Sequence, residues 1–335
     1  MQYHKLTPNY KISRIIKGNW QLSDSHSEFD TQNGANDMLE YAKAGITTFD
    51  MADIYTGAEE MAGRFLRQYP DAQIHTKYVP DKNLLSTITQ QDTIETIERS
   101  LARLNLKSLD LVQFHWWDYA QPKYLETLKT LQELQTLGKI KHLGVTNFNV
   151  QKMQEFVDAG IKIETIQLQY SLLDSRPEKK MLEFCKTNNI TVLCYGVLAG
   201  GFLSDFWLGK SEPKELENRS LVKYKLIIDD IGGWNKFQKL LQVLDKIAKK
   251  HQATISNIAT KYILEKSNAV ILGSRNTKHL KDTLQIFSID LDFQDLRQIQ
   301  DILEIFVQLD GDCYDLERND PKHSGIMKYN LNKKT

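Results

Sequence analysis

Four side-chain types in this sequence can do proton chemistry together: the carboxylate of Asp50, the phenol of Tyr55, the ammonium of Lys77 and the imidazole of His115. The apolar run Ala44-Gly45-Ile46-Thr47-Thr48-Phe49 stops abruptly at Asp50, and Tyr55 follows five residues later, just before the turn residue Gly57. The next strand-like run, Gln73-Ile74-His75-Thr76-Lys77, ends in a lysine, and the one after it, Leu109 to His115, ends in a histidine. A free tyrosine has a pKa of about 10, so a phenol that works near neutral pH needs a cation beside it. Asp50 would hold the Lys77 ammonium in place, and that ammonium would lower the pKa of Tyr55 by favouring phenolate. His115 would donate or accept a hydrogen bond on the other side. The chemistry this predicts is protonation of a substrate oxygen by Tyr55. Taken singly, each residue has a plainer reading as a helix cap, a rim charge or a core histidine. The weight lies in four such types ending three successive strands.

The elements that must position them follow a rhythm of strand, loop and amphipathic helix. Strands are expected at residues 14–18, 46–50, 73–77, 109–115, 142–146, 165–169, 191–195 and 269–272. Helical spacing of apolar residues marks 91–106 (Ile94, Ile97, Leu101, Leu104) and 124–137, the latter ending at Gly138 with Lys139 beside it. Further helices are expected at 177–188, which opens with Pro177, and at 233–250, 256–266 and 279–287. Eight such strands predict a (β/α)8 TIM barrel of the α/β class, with an N-terminal hairpin over residues 2–12 and long rim loops. The barrel should span about 12–290 within a single domain 1–335, leaving a C-terminal helix and tail at 291–335. In such a barrel the strand C-termini share one rim, and neighbouring strands lie about 5 Å apart, so the four side chains can converge. A doubly wound nucleotide-binding sheet is the rival, but no GxGxxG or GxxxxGK[ST] occurs. Residues 197–232 read as a long irregular insertion, and 306–335 as polar loop.

Composition narrows the function classes. Lysine plus arginine number 43 and aspartate plus glutamate 43, a formal net charge of zero, so neither a nucleic-acid face nor a polybasic membrane anchor is expected. No apolar run approaches the roughly 18 residues of a membrane span, and the first residues lead into no signal-peptide core, so a cytoplasmic location is expected. Cys185, Cys194 and Cys313 lack CxxC spacing and read as buried free thiols of a reducing compartment. No metal site is expected.

At this point a family resemblance emerges. Phe49-Asp50-Met51-Ala52-Asp53-Ile54-Tyr55-Thr56-Gly57, followed by Glu59, resembles the aldo-keto reductase signature, a D-x-x-x-x-Y turn with a downstream G-x-E. Ile74 to Lys77 is similar to that family's lysine strand and Asp110 to Trp116 to its histidine strand. Gly138-Lys139-Ile140-Lys141-His142-Leu143-Gly144-Val145-Thr146-Asn147-Phe148 resembles its G-K-I-R-x-I-G-V-S-N-F segment. Gln167 to Ser171 resembles its Q-x-x-Y-N element, and Tyr195-Gly196-Val197-Leu198 its Y-S-P-L element. These motifs are collinear from about residue 12 to about residue 290.

The resemblance implies reduction of an aldehyde or ketone by hydride transfer from NADPH, with NADH as the alternative cofactor and Tyr55 as proton donor. Asp50, Lys77 and His115 would support it. Thr146, Asn147 and Gln167 would hydrogen-bond the nicotinamide carboxamide, and Tyr195 would stack on the ring. Gly18, Asn19, Trp20, Asp50, Gly196, Leu198 and Gly200 would complete that part of the cofactor site. Gly273, Ser274 and Arg275 resemble the adenosine-phosphate loop. His279 stands where the family often has arginine, and Asp282 and Thr283 where it often has Glu and Asn, so Arg275 or Lys278 would take over the phosphate. The implied substrate pocket is Trp20, Tyr55, His115 and Trp116, with Trp117 in the same wall and Asp118 and His26 as polar contacts. In the insertion, Tyr224-Lys225 and Gly232-Gly233-Trp234 would close over the pyrophosphate, with Lys223 or Lys225 on a phosphate. Two other classes stay open: an NADPH-binding redox-sensing subunit with slow turnover, and a Schiff-base aldolase using Lys77. The oligomeric state is not readable.

Overall fold

The computed structural model describes residues 1–20 and 31–332. Ten strands run in chain order: β1 (Tyr3–Thr7), β2 (Tyr10–Ser13), β3 (Ile15–Gly18), β4 (Thr48–Asp50), β5 (Gln73–Tyr78), β6 (Leu109–Phe114), β7 (Ile140–Thr146), β8 (Thr165–Gln169), β9 (Thr191–Tyr195) and β10 (Ala269–Gly273). The antiparallel pair β1–β2 stands alone, and β3 to β10 form a closed parallel barrel in which β10 pairs with β3. The eight barrel strands match the expected ones to within two residues at each end.

Around them lie α1 (Thr31–Lys43), α2 (Ala58–Leu66), α3 (Gln90–Leu104), α4 (Tyr124–Thr136), α5 (Val150–Asp158), α6 (Arg176–Lys179), α7 (Met181–Thr187) and α8 (Arg219–Asp230). They are followed by α9 (Trp234–Lys250), α10 (Ile255–Lys266), α11 (Leu280–Gln285), α12 (Phe293–Leu303), α13 (Asp315–Asn319) and α14 (Pro321–Ser324). The ends follow local chemistry. Thr89 and Asp92 form a capping box at the start of α3. After α4, Gly138 turns at φ 77° and lets Lys139 N–H reach Leu134 C=O. The helix expected at 177–188 is split at Lys180, whose φ of −149° leaves the helical region. Residues 197–232 are less irregular than expected, because α8 fills their second half. The tail is not loop: α13 and α14 lie within it.

Alternation along the strands sorts side chains into two environments. Phe49, Ile74, Val112, Phe114, Val145 and Ile166 point outward into the apolar layer shared with the helices. Inside the barrel, Ile16, Leu111, Leu193 and Ala269 form a small separate core. The N-terminal hairpin plugs the bottom of the barrel, as expected. Tyr10 packs 4.4 Å from the His142 ring, and its hydroxyl lies 3.3 Å from Nε2 of His75. His75 is fully buried, and burial, then the neighbouring His142, pushes it down to about 3. It is therefore neutral and depends on Tyr10 as a polar partner.

That dependence is testable. Tyr10→Ala removes the plug's aromatic ring and strips His75 of its partner, so it should destabilise the fold by roughly 2–4 kcal/mol in urea unfolding. Activity per folded molecule should be unchanged, since the opposite rim is untouched.

Candidate active site

Asp50 ends β4, and its carboxylate is the meeting point of three other strands. Oδ2 accepts from Lys77 Nζ of β5 at 2.6 Å, while Oδ1 accepts from Gln113 Nε2 of β6 at 3.1 Å and Gln167 Nε2 of β8 at 2.6 Å. Gln167 also donates to Gln113 Oε1 at 3.0 Å. The pair is nearly shut off from water, with side-chain exposures of 7% for Lys77 and 6% for Asp50. Lys77 donates a second bond to Met51 C=O at 2.8 Å. Asn19 braces the same strand end from β3, through its own N–H and its amide, both to Asp50 C=O.

Tyr55 rides on the turn after β4. Its N–H bonds Ala52 C=O, its C=O receives Ala58 N–H, and Gly57 at φ 80° starts α2 in a left-handed conformation that a side chain rarely adopts. The Lys77 ammonium lies 5.2 Å from the Tyr55 ring centroid. Burial raises the phenol's pKa, and Lys77 opposes that rise without cancelling it. The expectation of a lowered pKa is therefore corrected: Tyr55 stays protonated at neutral pH. Burial opposes the charge on Lys77, but Asp50 and Tyr55 outweigh it and the ammonium is held above its ordinary value. Asp53, inside the same motif, accepts from Ile54 and Val79 N–H and pins the turn to β5.

His115 follows β6. Burial, then the cation of Arg318, pushes its imidazole down to about 3. Its Nδ1 lies 3.2 Å from Thr146 C=O. A carbonyl only accepts, so Nδ1 carries the proton and the unpartnered Nε2 is a bare acceptor. Of the two roles left open, the structure selects acceptor.

Asp50, Tyr55, Lys77 and His115 all line one cavity of about 670 Å³. Gly18, Trp20, Thr146, Asn147, Gln167 and Tyr195 line it too, as do Gly196, Leu198, Gly200, Gly273 and Arg275. Tyr195 donates to Asn147 Oδ1 at 2.8 Å. Other expected residues lie elsewhere. Asn19 is a buried brace behind the wall. Trp116 is corrected to Trp117: alternation carries 113, 115 and 117 to the inner face. Trp116 turns outward, fully buried, and donates to Asp118 and Gln121 C=O. Trp117 lines the cavity with its ring 4.2 Å from His115. Asp118 caps its own turn by accepting from Ala120 N–H. Asp282 is tied to Asn257 of α10 and to Thr254, the N-cap of that helix; Thr283 lies within α11, and Ser274 bonds within its own turn. None of these three, nor the exposed His279, borders the cavity. His26 falls outside the described residues. Trp234 packs on Phe202 and Phe237 and donates to Lys210 C=O, so it anchors α9 and is no cover for the cavity. Lys225 pairs with Glu212 and Asp229, whereas Lys223 faces the cavity.

Sequence reasoning missed two groups. Gln113 had a signal, since it shares the inner face with His115. The tail had none. Tyr314 sets its ring edge-on to His115 at 5.6 Å, and Tyr329 meets Trp117 at 5.2 Å. Glu317, 1% exposed, lies 3.4 Å from Arg176 Nη2. Lys223 Nζ sits 3.1 Å from its Oε1, off the hydrogen-bonding direction, so that contact is one of charge. Arg176 is itself clamped by Asp174 at 2.7 Å. The tail is thus buckled to the loop after β8 and to α8.

Residues 14–304 match the Aldo/keto reductase family. Aldo-keto reductase YhdN of Bacillus subtilis (strain 168) is 30% identical over 321 residues, covering 88% of this chain and 91% of that protein. The NADH-specific methylglyoxal reductase of Escherichia coli (strain K12) is 24% identical, over 89% of this chain and 97% of its own length. The glycerol dehydrogenase AKR11B4 from Gluconobacter oxydans has a similar structure, with a TM-score of 0.75 at 25% identity over 91% of this chain and 95% of that one. A thermostable aldo-keto reductase in complex with the inhibitor epalrestat shares the fold, with a TM-score of 0.73 at 24% identity over 90% and 100%.

Two outcomes follow from the buried charges. Lys77→Met strands the Asp50 carboxylate and should cost about 3–5 kcal/mol; adding Asp50→Asn should recover part of it in a double-mutant cycle of urea unfolding. For Glu317, burial raises the carboxyl, but Lys223 and Arg176 win and hold it down at about 2, below its ordinary 4.5. A depressed folded pKa gives stability that is complete above about 4.5 and lost as pH falls through about 2. The wild type should lose roughly 3 kcal/mol across that window through this group, and Glu317→Gln should flatten the acid limb of the stability profile.

Proposed function

The chain belongs to the aldo/keto reductase family, an NAD(P)H-dependent group of enzymes, and on that premise we propose that it reduces an aldehyde or ketone to the alcohol with Tyr55 as proton donor. The observation that carries the reading is the buried Asp50–Lys77 pair, which holds an ammonium against a protonated phenol at the cavity wall.

The residues present suit a nicotinamide dinucleotide. The Thr146 hydroxyl and the Asn147 and Gln167 amides offer the mixed donors and acceptors that a carboxamide needs, with the Tyr195 ring beside them. Among the described residues, Lys77, Arg219, Lys223, Arg275 and Lys328 line the cavity against two carboxylates, Asp50 and Glu217, in a chain of zero net charge. That excess of positive charge suits phosphates. When bound, the reduced cofactor supplies the hydride for the carbonyl carbon.

The protein's own groups handle the oxygen. Tyr55 delivers its proton to it, and the Lys77 ammonium stabilises the tyrosinate left behind. Asp50 keeps that ammonium in place, and Gln113 and Gln167 satisfy its other carboxylate oxygen. His115 cannot give a proton, because its single N–H is committed to Thr146 C=O. Its bare Nε2 is an acceptor for the product hydroxyl once the proton has left Tyr55. Trp20, Trp117, Tyr314, Met327 and Leu331 make the rest of this end apolar, which favours a flat or aromatic carbonyl compound and keeps water out.

NADPH is the proposed cofactor, supported by Arg275, exposed in the turn after β10 and lining the cavity. The NADH-specific relative from Escherichia coli marks the alternative. One experiment addresses both points. Wild-type protein should quench its tryptophan fluorescence more tightly with NADPH than with NADH and oxidise NADPH in the presence of 4-nitrobenzaldehyde. Tyr55→Phe should keep the quenching and lose about 10²–10⁴-fold in turnover. Quenching without turnover on a broad aldehyde panel would sink the reductase reading in favour of a sensing role.

A further inference from the structure

Lys17 is a charged side chain where an apolar one would be expected. Its neighbours Ile16 and Gly18 face the barrel interior and the cavity, so Lys17 points outward into the layer between β3 and α1. It is 1% exposed. Its nitrogen makes no ion pair with a described carboxylate. It donates instead to Gly18 C=O at 2.8 Å and Ser274 C=O at 2.7 Å, and lies 5.5 Å from the Tyr41 ring centroid. A buried ammonium with carbonyl partners alone is costly, and nothing in packing requires it.

The two acceptors show what it holds. Gly18 and Gly273 are register partners at the ends of β3 and β10, and both line the cavity. They approach so closely that a Cβ on Gly18 would stand 3.0 Å from Ile271 and 3.6 Å from the Gly273 backbone. Ser274 begins the turn that leads to α11, and the same turn is held at Asn276 C=O by the Tyr41 hydroxyl at 3.2 Å. Lys17 and Tyr41 therefore grip the turn from behind, while Arg275 between the two grips is exposed and borders the cavity.

We infer that Lys17 is a positioning residue for cofactor binding: it ties the 274–276 turn to the end of β3 so that Arg275 is presented to an anionic group of the dinucleotide. The inference rests on the nicotinamide-cofactor reading above. Without the ammonium, the buried Gly18 carbonyl and the part-buried Ser274 carbonyl lose this donor, and the turn loses one of its two attachments. Burial pushes Lys17 down to about 7, with Asp37 pulling the other way. Only the protonated form carries positive charge behind the turn. An anion bound in front of it favours that form, so cofactor binding and protonation are linked. Affinity is full below about 7 and falls as pH rises through it. Among the described residues, the charged and titratable groups near Lys17 are Asp37 and Tyr41 of α1, while Arg275 follows its acceptor Ser274 and borders the cavity. His279 stands at the start of α11 and is untouched by the variants below.

The test is NADPH titration by tryptophan quenching on wild type, Lys17→Met and Lys17→Gln at about pH 6 and about pH 8, with steady-state kinetics alongside. Wild type should bind several-fold more weakly at the higher pH. Lys17→Met should bind about tenfold more weakly at the lower pH, the size of one charge-assisted hydrogen bond. Its affinity should not vary with pH, and kcat at saturating NADPH should stay within about twofold. Lys17→Gln, which keeps a neutral donor, should be intermediate and flat with pH. An unchanged Kd in Lys17→Met, or a parallel fall in kcat, overturns the assignment. Should Lys17→Met not fold, a Lys17→Gln that retains the wild-type pH dependence does the same. Wild type that binds neither NADPH nor NADH removes the cofactor reading and this inference with it; binding with insensitive variants removes the inference alone.

Discussion

The Asp50–Lys77 ion pair is the constraint around which the rest of the rim is arranged. Two opposite charges held 2.6 Å apart with almost no water contact gain little net stability, since desolvation offsets most of their attraction. What the arrangement secures is a cation at a fixed place. Holding it requires both carboxylate oxygens to be met, and the donors come from β5, β6 and β8. Only a closed sheet brings four such strand ends to one point. The barrel, its inner polar layer and the Asn19 brace on Asp50 can all be read as conditions for that one ammonium.

The opposite end of the barrel and the C-terminal tail solve related problems. Below, a hairpin carries Tyr10 in to partner a histidine that cannot be charged. Above, the tail roofs the cavity with Tyr314, a residue at φ 66° that is neither glycine nor asparagine. Such a backbone costs of order 1 kcal/mol or more and persists only where its surroundings over-determine it. Here they do: Lys223 and Arg318 stand 5.3 and 5.1 Å from its ring, and Glu317 in the next turn is locked to Arg176. The tail is held by buried charge as well as by apolar packing, since Leu309, Cys313 and Tyr314 are buried with it.

This contrast explains what was legible. The strands could be read because most are short runs rich in Val, Ile and Leu, and because Asp50, Lys77 and His115 close three of them in succession. Gln113 and Trp117 were within reach of the same alternation, which carries past the end of β6 and turns Trp116 outward. The tail was not within reach. Helices of five and four residues have no periodicity to detect, and in sequence Glu317 is one acid among 43 Asp and Glu. Lys17 was hidden for another reason: lysine at a strand end reads as a rim charge, and only packing against α1 reveals that it points the other way. Polar residues that contact partners far along the chain leave no local trace.

The proton states of Tyr55 and His115 are linked by the same logic. Lys77 alone would make Tyr55 a stronger acid, but burial works against it and wins, so the phenol reaches the reaction still carrying its proton. Burial works on His115 too, emptying Nε2 while Thr146 C=O fixes the remaining proton on Nδ1. One water-poor wall thus holds a filled donor and an empty acceptor. A donor of this kind is useful only if its anion, once formed, is cheaper than it looks in the resting site. The ammonium 5.2 Å from the ring centroid supplies that difference, because its attraction grows as charge develops on the phenol oxygen. The raised resting pKa and the nearby cation are therefore complementary: the first keeps the proton until a carbonyl oxygen needs it, and the second stabilises what remains after it has gone.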